Sequence, residues 1–399
     1  MFIAHAGFVL TGVVNTLLGP ILPIVIVRWS LSDAQAGLLF TAQFVGAMAG
    51  TVGSSALMAR LGCRRTAMAG LALMALGVAG TSSHSATVGV SAILCFGLGL
   101  GLDVPATNLW VALAELEGSA AALNLLNASW CIGAVAAAPL IIFSSDRIGL
   151  GWTLGALAIL LSVLAIGGFM GADSTRLAAE GAAIAPKVDV AATGAEPGAA
   201  FLLDSPAARL SFVVCISALL FFYVGSEAGV GGWAATYAKR FALLPAVHIG
   251  LAQSIFYLML MVGRLLAPVV LRRVRGTTLV TAGIWAAGTG VVLTVARPSS
   301  VPALAGFALT GLGFAVVFPI TISYYSDLLG GEATRFAAWI FACGDFGAAI
   351  LPPITGVISD RFQSLRAGMA FPLVSVAIML ILQARLRRMV YRDGTANRV

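Results

Sequence analysis

The sequence predicts an all-α membrane protein whose twelve transmembrane helices form two pseudo-symmetric six-helix bundles. Three observations predict it. Hydrophobic residues make up 60% of the 399 residues, with 46 glycines besides, and only 10% are charged, against about a quarter in an average soluble domain. Mean hydropathy is +1.00, which is more apolar surface than one or two soluble cores can bury. The third observation is an internal repeat at a nearly constant offset of 214 residues. The same figures exclude intrinsic disorder, coiled coil and collagen.

A bilayer span needs about 20 mainly apolar helical residues. Runs of that kind lie at 4–28, 36–59, 66–83, 87–112, 119–145 and 150–171, then at 208–237, 247–271, 277–295, 301–326, 334–358 and 366–390. The first is too long for a cleavable signal peptide and lacks both a basic start and a small-residue cleavage site. Residues 172–207, with Asp173, Arg176, Glu180, Pro186, Lys187, Asp189, Glu196 and Pro197 among alanines, read as a linker. It separates a bundle at 1–171 from a bundle at 208–399.

The net charge of +7 comes from 23 basic residues scattered in twos and threes between apolar runs. That is a topology signal and not a nucleic-acid footprint. With a cytoplasmic N-terminus, one side receives fifteen Lys and Arg, including Arg60, Arg64, Arg65, Arg272, Arg273, Arg275, Arg335 and the C-terminal arginines, and the other receives seven. Both termini and the linker are therefore expected in the cytoplasm, with the spans in the lipid of the inner (plasma) membrane. Five cysteines without CxxC spacing and three isolated histidines indicate neither disulfides nor a metal site. No cofactor is expected. No HExxH, GxSxG or Ser–His–Asp pattern lies in a span, so an intramembrane enzyme is not expected either. GLGLGLDVPATN lies within an apolar span with no strand before it and is not a phosphate-cradling loop.

The halves align with each other. Gly97, Gly99, Pro105 and Thr107 of the fourth span map at 214 onto Gly311, Gly313, Pro319 and Thr321. Gly133, Pro139, Asp146 and Arg147 map onto Gly347, Pro353, Asp360 and Arg361, and Gly62 onto Gly276. In the first span Phe8, Gly12 and Gly19 map at 213 onto Phe221, Gly225 and Gly232. An even number of spans per half makes the repeats parallel, the arrangement in which two bundles rock about a site near the bilayer midplane.

Twelve spans, a 6+6 repeat and a long central loop resemble the major facilitator superfamily. After the second span, SALMARLGCRR (Ser55–Arg65) resembles that family's GxxxDRxGRR loop, with Ser55 and Ala59 at the glycine and aspartate positions. GVISDR (Gly356–Arg361) is a related echo, and Gly133–Pro139 faintly resembles the antiporter motif of the fifth span. Three stretches are similar to the fucose-permease-like branch. They are the glycine ladder ending at Asn108, LNLLNASWCIGAVAAAPL from Leu123, and YVGSEAGVGGW from Tyr223 to Trp233. That resemblance implies a sugar as substrate, with protons as the coupling ion.

An acid at the centre of a span costs about 2.5–3.5 kcal/mol on insertion scales, so it should face a cavity or a partner. Glu227, Asp345 and Asp103 are such acids, and the repeat places no acid opposite any of them. Desolvation favours the neutral carboxyl and water the ionised one, so an acid with alternating access can couple proton movement to rocking. All three are candidates for proton coupling. Arg264 is expected to snorkel to the cytoplasmic surface, the alternative being an acid across the bundle. Glu115 and Glu117 are expected near arginines at the end of the fourth span.

A sugar site needs hydrogen-bonding groups and an aromatic face. Candidates are Asn15, Gln43, Asn108, Asn124, Asn127, Gln253 and Tyr257, with Trp130, Trp233, Tyr324 and Trp339 as stacking surfaces. Asn127 and Trp130 are three apart on one helical face. Trp233 also suits an interfacial anchor. The expected function is a secondary transporter, acting as a monomer, that imports a small polar solute of the sugar class by proton symport through alternating access. The competing readings are an exporter of amphipathic compounds by proton antiport, a sodium-coupled importer, and a non-transporting membrane sensor.

Overall fold

The computed structural model describes residues 1–114, 119–170, 206–241, 244–245, 248–297, 299–329 and 333–392. Nearly all of the expected linker, together with Glu115 and Glu117, lies outside the described residues. What is described is helical from end to end. In the first half the helices are α1 (Phe2–Asn15), α2 (Leu18–Arg28), α3 (Asp33–Leu61), α4 (Cys63–Gly80), α5 (Ala86–Ala114), α6 (Ser119–Ile148) and α7 (Leu150–Met170). In the second they are α8 (Pro206–Arg240), α9 (Leu251–Leu271), α10 (Gly276–Ala296), α11 (Ser300–Phe314), α12 (Val317–Leu329), α13 (Ala333–Phe362), α14 (Leu365–Ala370) and α15 (Pro372–Arg392). Among the described residues ten spans are long and apolar enough to cross a bilayer, and α1 with α2, bent by 42°, makes an eleventh. The 18-residue α4, about 27 Å long at 1.5 Å per residue, stands where the third span is expected. The order is that of the twelve runs in the sequence.

The first span breaks where the sequence withholds a donor. Pro20 has no N–H to offer Thr16 O, and a bare carbonyl inside a bilayer must find a partner from another helix. Two buried amides supply partners. Gln253 Nε2 donates to Thr16 O at 3.0 Å, and Gln43 Nε2 donates to Asn15 O at 2.9 Å. Replacing Gln253 by Leu strands the Thr16 carbonyl, a loss of about 1–3 kcal/mol. The purified variant is expected to melt several degrees below wild type, and an unchanged Tm would refute this role.

The described residues divide into two compact units, one holding residues up to 170 with 232–254 and the other holding 206–231 with those from 255 to 392. The boundaries expected from the spans and linker are 1–171 and 208–399; in the structure the end of α8 and the start of α9 pack with the first unit. Gly232 lies against Phe40 and Gly250 against Ala138. Arg240 donates through both Nη atoms to the Asp33 carboxylate, and Lys239 Nζ donates to Pro23 O at 3.2 Å. Asp33 opens α3 beside a capping box formed by Ser32 and Gln35, so the acid sits at a helix N-terminus, where its charge is favoured.

The repeat is written in helix crossings. A Cβ on Gly97 would overlap Gln43 O, and one on Gly311 would overlap Phe256 O. Gly99 meets Gly70 O as Gly313 meets Gly283 O, and Gly77 meets Ala92 O as Gly290 meets Gly306 O. Gly133 meets Val9 O as Gly347 meets Phe221 O. The glycines of each pair sit at equivalent positions of the two halves, and each meets a carbonyl at or next to the equivalent position. Helices in lipid lack a hydrophobic drive to associate, so such close packing supplies much of the attraction.

Candidate functional site

In the first unit the polar centre is Asp103 on α5. The α4–α5 crossing fixes it there: a Cβ on Gly70 would lie 2.8 Å from Asp103 Cβ, so only glycine lets α4 this close. Asp103 is buried, and its carboxyl meets two hydroxyls. Thr107, one turn on, donates to Oδ1 at 2.9 Å, and Thr11 of α1 lies 2.7 Å from Oδ2. Thr11 Oγ1 also lies 3.0 Å from Gly7 O. The Thr11 hydroxyl has one hydrogen for these two acceptors. An ionised Asp103 accepts from Thr11 Oγ1, whereas a neutral one donates its own O–H to Thr11 Oγ1 and frees the threonine hydrogen for Gly7 O, so the hydroxyls accommodate both states. Among the described residues no cation pairs with Asp103.

In the second unit Tyr223, Glu227 and Gly231 recur every four residues along α8 and face Tyr257 and Arg264 of α9. Arg264 Nη2 lies 3.9 Å from Glu227 Oε2 and 3.4 Å from the Tyr223 hydroxyl. This corrects the expectation that Arg264 snorkels. A charge inside a span is costly when uncompensated, and α8 offers an acid within reach. The pair is not sealed: the Arg264 and Glu227 side chains are 33% and 16% exposed. Aromatic rings continue from it. Tyr223 packs 6.3 Å from Phe318, and Phe318 packs 6.0 Å from Phe341 of α13. One turn beyond Phe341 on α13 is Asp345, half-buried and with no hydrogen-bond or ion-pair partner among the described residues.

The other candidates are placed as follows. Asn15, Gln43 and Gln253 serve the break in the first span. Asn108 and Asn127 donate to carbonyls of their own helices, Val104 O and Leu123 O. Asn124 is exposed, Trp130 is half-buried with its carbonyl against Gly12, and Trp339 is 64% exposed. Trp233 is fully buried near Phe40, so it is neither an open stacking surface nor an interfacial anchor. Tyr324 lines a small cavity with Thr321 and Gln383. The sequence alone does not single out Thr11, Tyr223, Phe318 or Phe341. The four-residue spacing of Tyr223 and Glu227 is the available signal for one of them.

Known proteins agree with this architecture. The family model of the Major Facilitator Superfamily matches residues 4–352. An uncharacterized transporter of that type from Yersinia pestis is 23% identical over 388 residues, covering 97% of this chain and 94% of its own. A putative glucose/galactose transporter from Helicobacter pylori is 25% identical over 154 residues, 38% of this chain and 37% of its own. Among solved structures, a bacterial homologue of the human lysosomal transporter Spinster superposes with a TM-score of 0.74 at 12% identity, covering 98% of this chain and 97% of that one. The Escherichia coli fucose:proton symporter superposes with a TM-score of 0.59 at 17% identity, covering 96% of this chain and 98% of that one. At these identities the structures speak for the fold alone.

Proposed function

We propose that this chain, which belongs to the major facilitator superfamily, imports a small polar solute of the sugar class by proton symport through alternating access. The observation that carries the reading is Asp103, a buried carboxyl within a span whose hydroxyl partners suit a proton and which has no cation beside it among the described residues. Asp345, half-buried and without a partner among those residues, is the second proton carrier. The putative glucose/galactose transporter of Helicobacter pylori favours a sugar. The Lys and Arg distribution favours an inner membrane with both termini cytoplasmic.

Uptake by proteoliposomes tests this. Radiolabelled D-glucose, D-galactose and L-fucose are offered under an imposed pH gradient, a sodium gradient, or neither. Accumulation is expected with the pH gradient alone. Uptake that ignores both gradients would leave facilitated diffusion, and uptake driven by sodium would replace the proton.

A further inference from the structure

The Glu227–Arg264 pair is loose, partly exposed and net neutral. A solute bearing one charge would repel one member of the pair or leave the other uncompensated. Two adjacent hydroxyls suit both: each donates to the carboxylate and accepts from the guanidinium. Tyr223 adds a hydroxyl beside Arg264, and its ring begins the aromatic series through Phe318 to Phe341. A sugar ring has the matching faces, with hydroxyls at its edge and C–H groups on its side.

We propose that Glu227 and Arg264 form the hydroxyl-binding pole of the solute site, that Phe318 and Phe341 form its apolar platform, and that the solute is neutral. Glu227 then serves the solute and not the coupled proton, because the carboxylate facing Arg264 is one half of the binding pole. This rests on the transport reading above and assigns Glu227 a role different from Asp103.

The test uses the full-length protein in proteoliposomes with D-galactose, D-galacturonate and D-galactosamine. Wild type is expected to take up galactose in preference to both charged analogues. Glu227→Gln and Arg264→Gln are expected to raise KM about tenfold or more, with Glu227→Gln still accumulating galactose at saturation. Phe341→Cys, with alkylation at that position read by peptide mass spectrometry apart from the five native cysteines, gives a measurement that does not need those variants to fold: galactose at saturating concentration, which offsets the lost ring, is expected to slow its alkylation by a maleimide. Preference for a charged analogue, or no protection at Phe341→Cys, would overturn the proposed site. Loss of accumulation in Glu227→Gln with exchange retained would make Glu227 a proton carrier and overturn its assignment, while leaving symport intact. Failure of every sugar under every gradient would instead remove the sugar reading itself.

Discussion

Asp103→Asn is expected to abolish proton-driven accumulation while solute exchange across the membrane continues. Asparagine keeps the size of the side chain. Its oxygen accepts from Thr107 and its amide donates to Thr11, so it imitates the neutral acid and cannot release a proton. For one proton per solute, a gradient of one pH unit supports about tenfold accumulation. The variant should fall to a ratio of one. Counterflow of preloaded solute separates this result from simple loss of binding. Accumulation at the wild-type level would remove Asp103 from the coupling path.

Gly97→Val and Gly311→Val are each expected to yield little folded protein. Overpacking a core costs about 1–3 kcal/mol where side chains can move aside. At these two crossings the obstacle is a carbonyl, Gln43 O or Phe256 O, which cannot rotate away. Gly53→Val is the control, because nothing lies within 4 Å of an added Cβ there. The fraction of monodisperse protein after solubilisation measures the effect. Matching losses at Gly97 and Gly311 with tolerance at Gly53 are expected, and tolerance at either crossing would refute the packing argument.

The fold is legible in the sequence because its causes are local. Apolar length fixes each span, and glycine pairs 214 residues apart mark the crossings in both halves. The candidate site is legible only in its acids. An acid within an apolar run stands out by its cost, whereas Thr11 and Phe341 are ordinary residues for a span and acquire a role only from neighbours distant in sequence. The amides illustrate a competing demand. Gln43 and Gln253 read as ligand contacts, yet a proline-broken helix needs them first. Arg264 reads as snorkelling because sequence shows distance to a helix end and not the acid on the facing helix.

The most direct measurement is the internal pH of proteoliposomes, followed with a trapped pH-sensitive dye, when the transported solute is added outside without any imposed gradient. Symport through Asp103 predicts acidification of the lumen with wild type and none with Asp103→Asn. Solute uptake by wild type with no change in internal pH would contradict it.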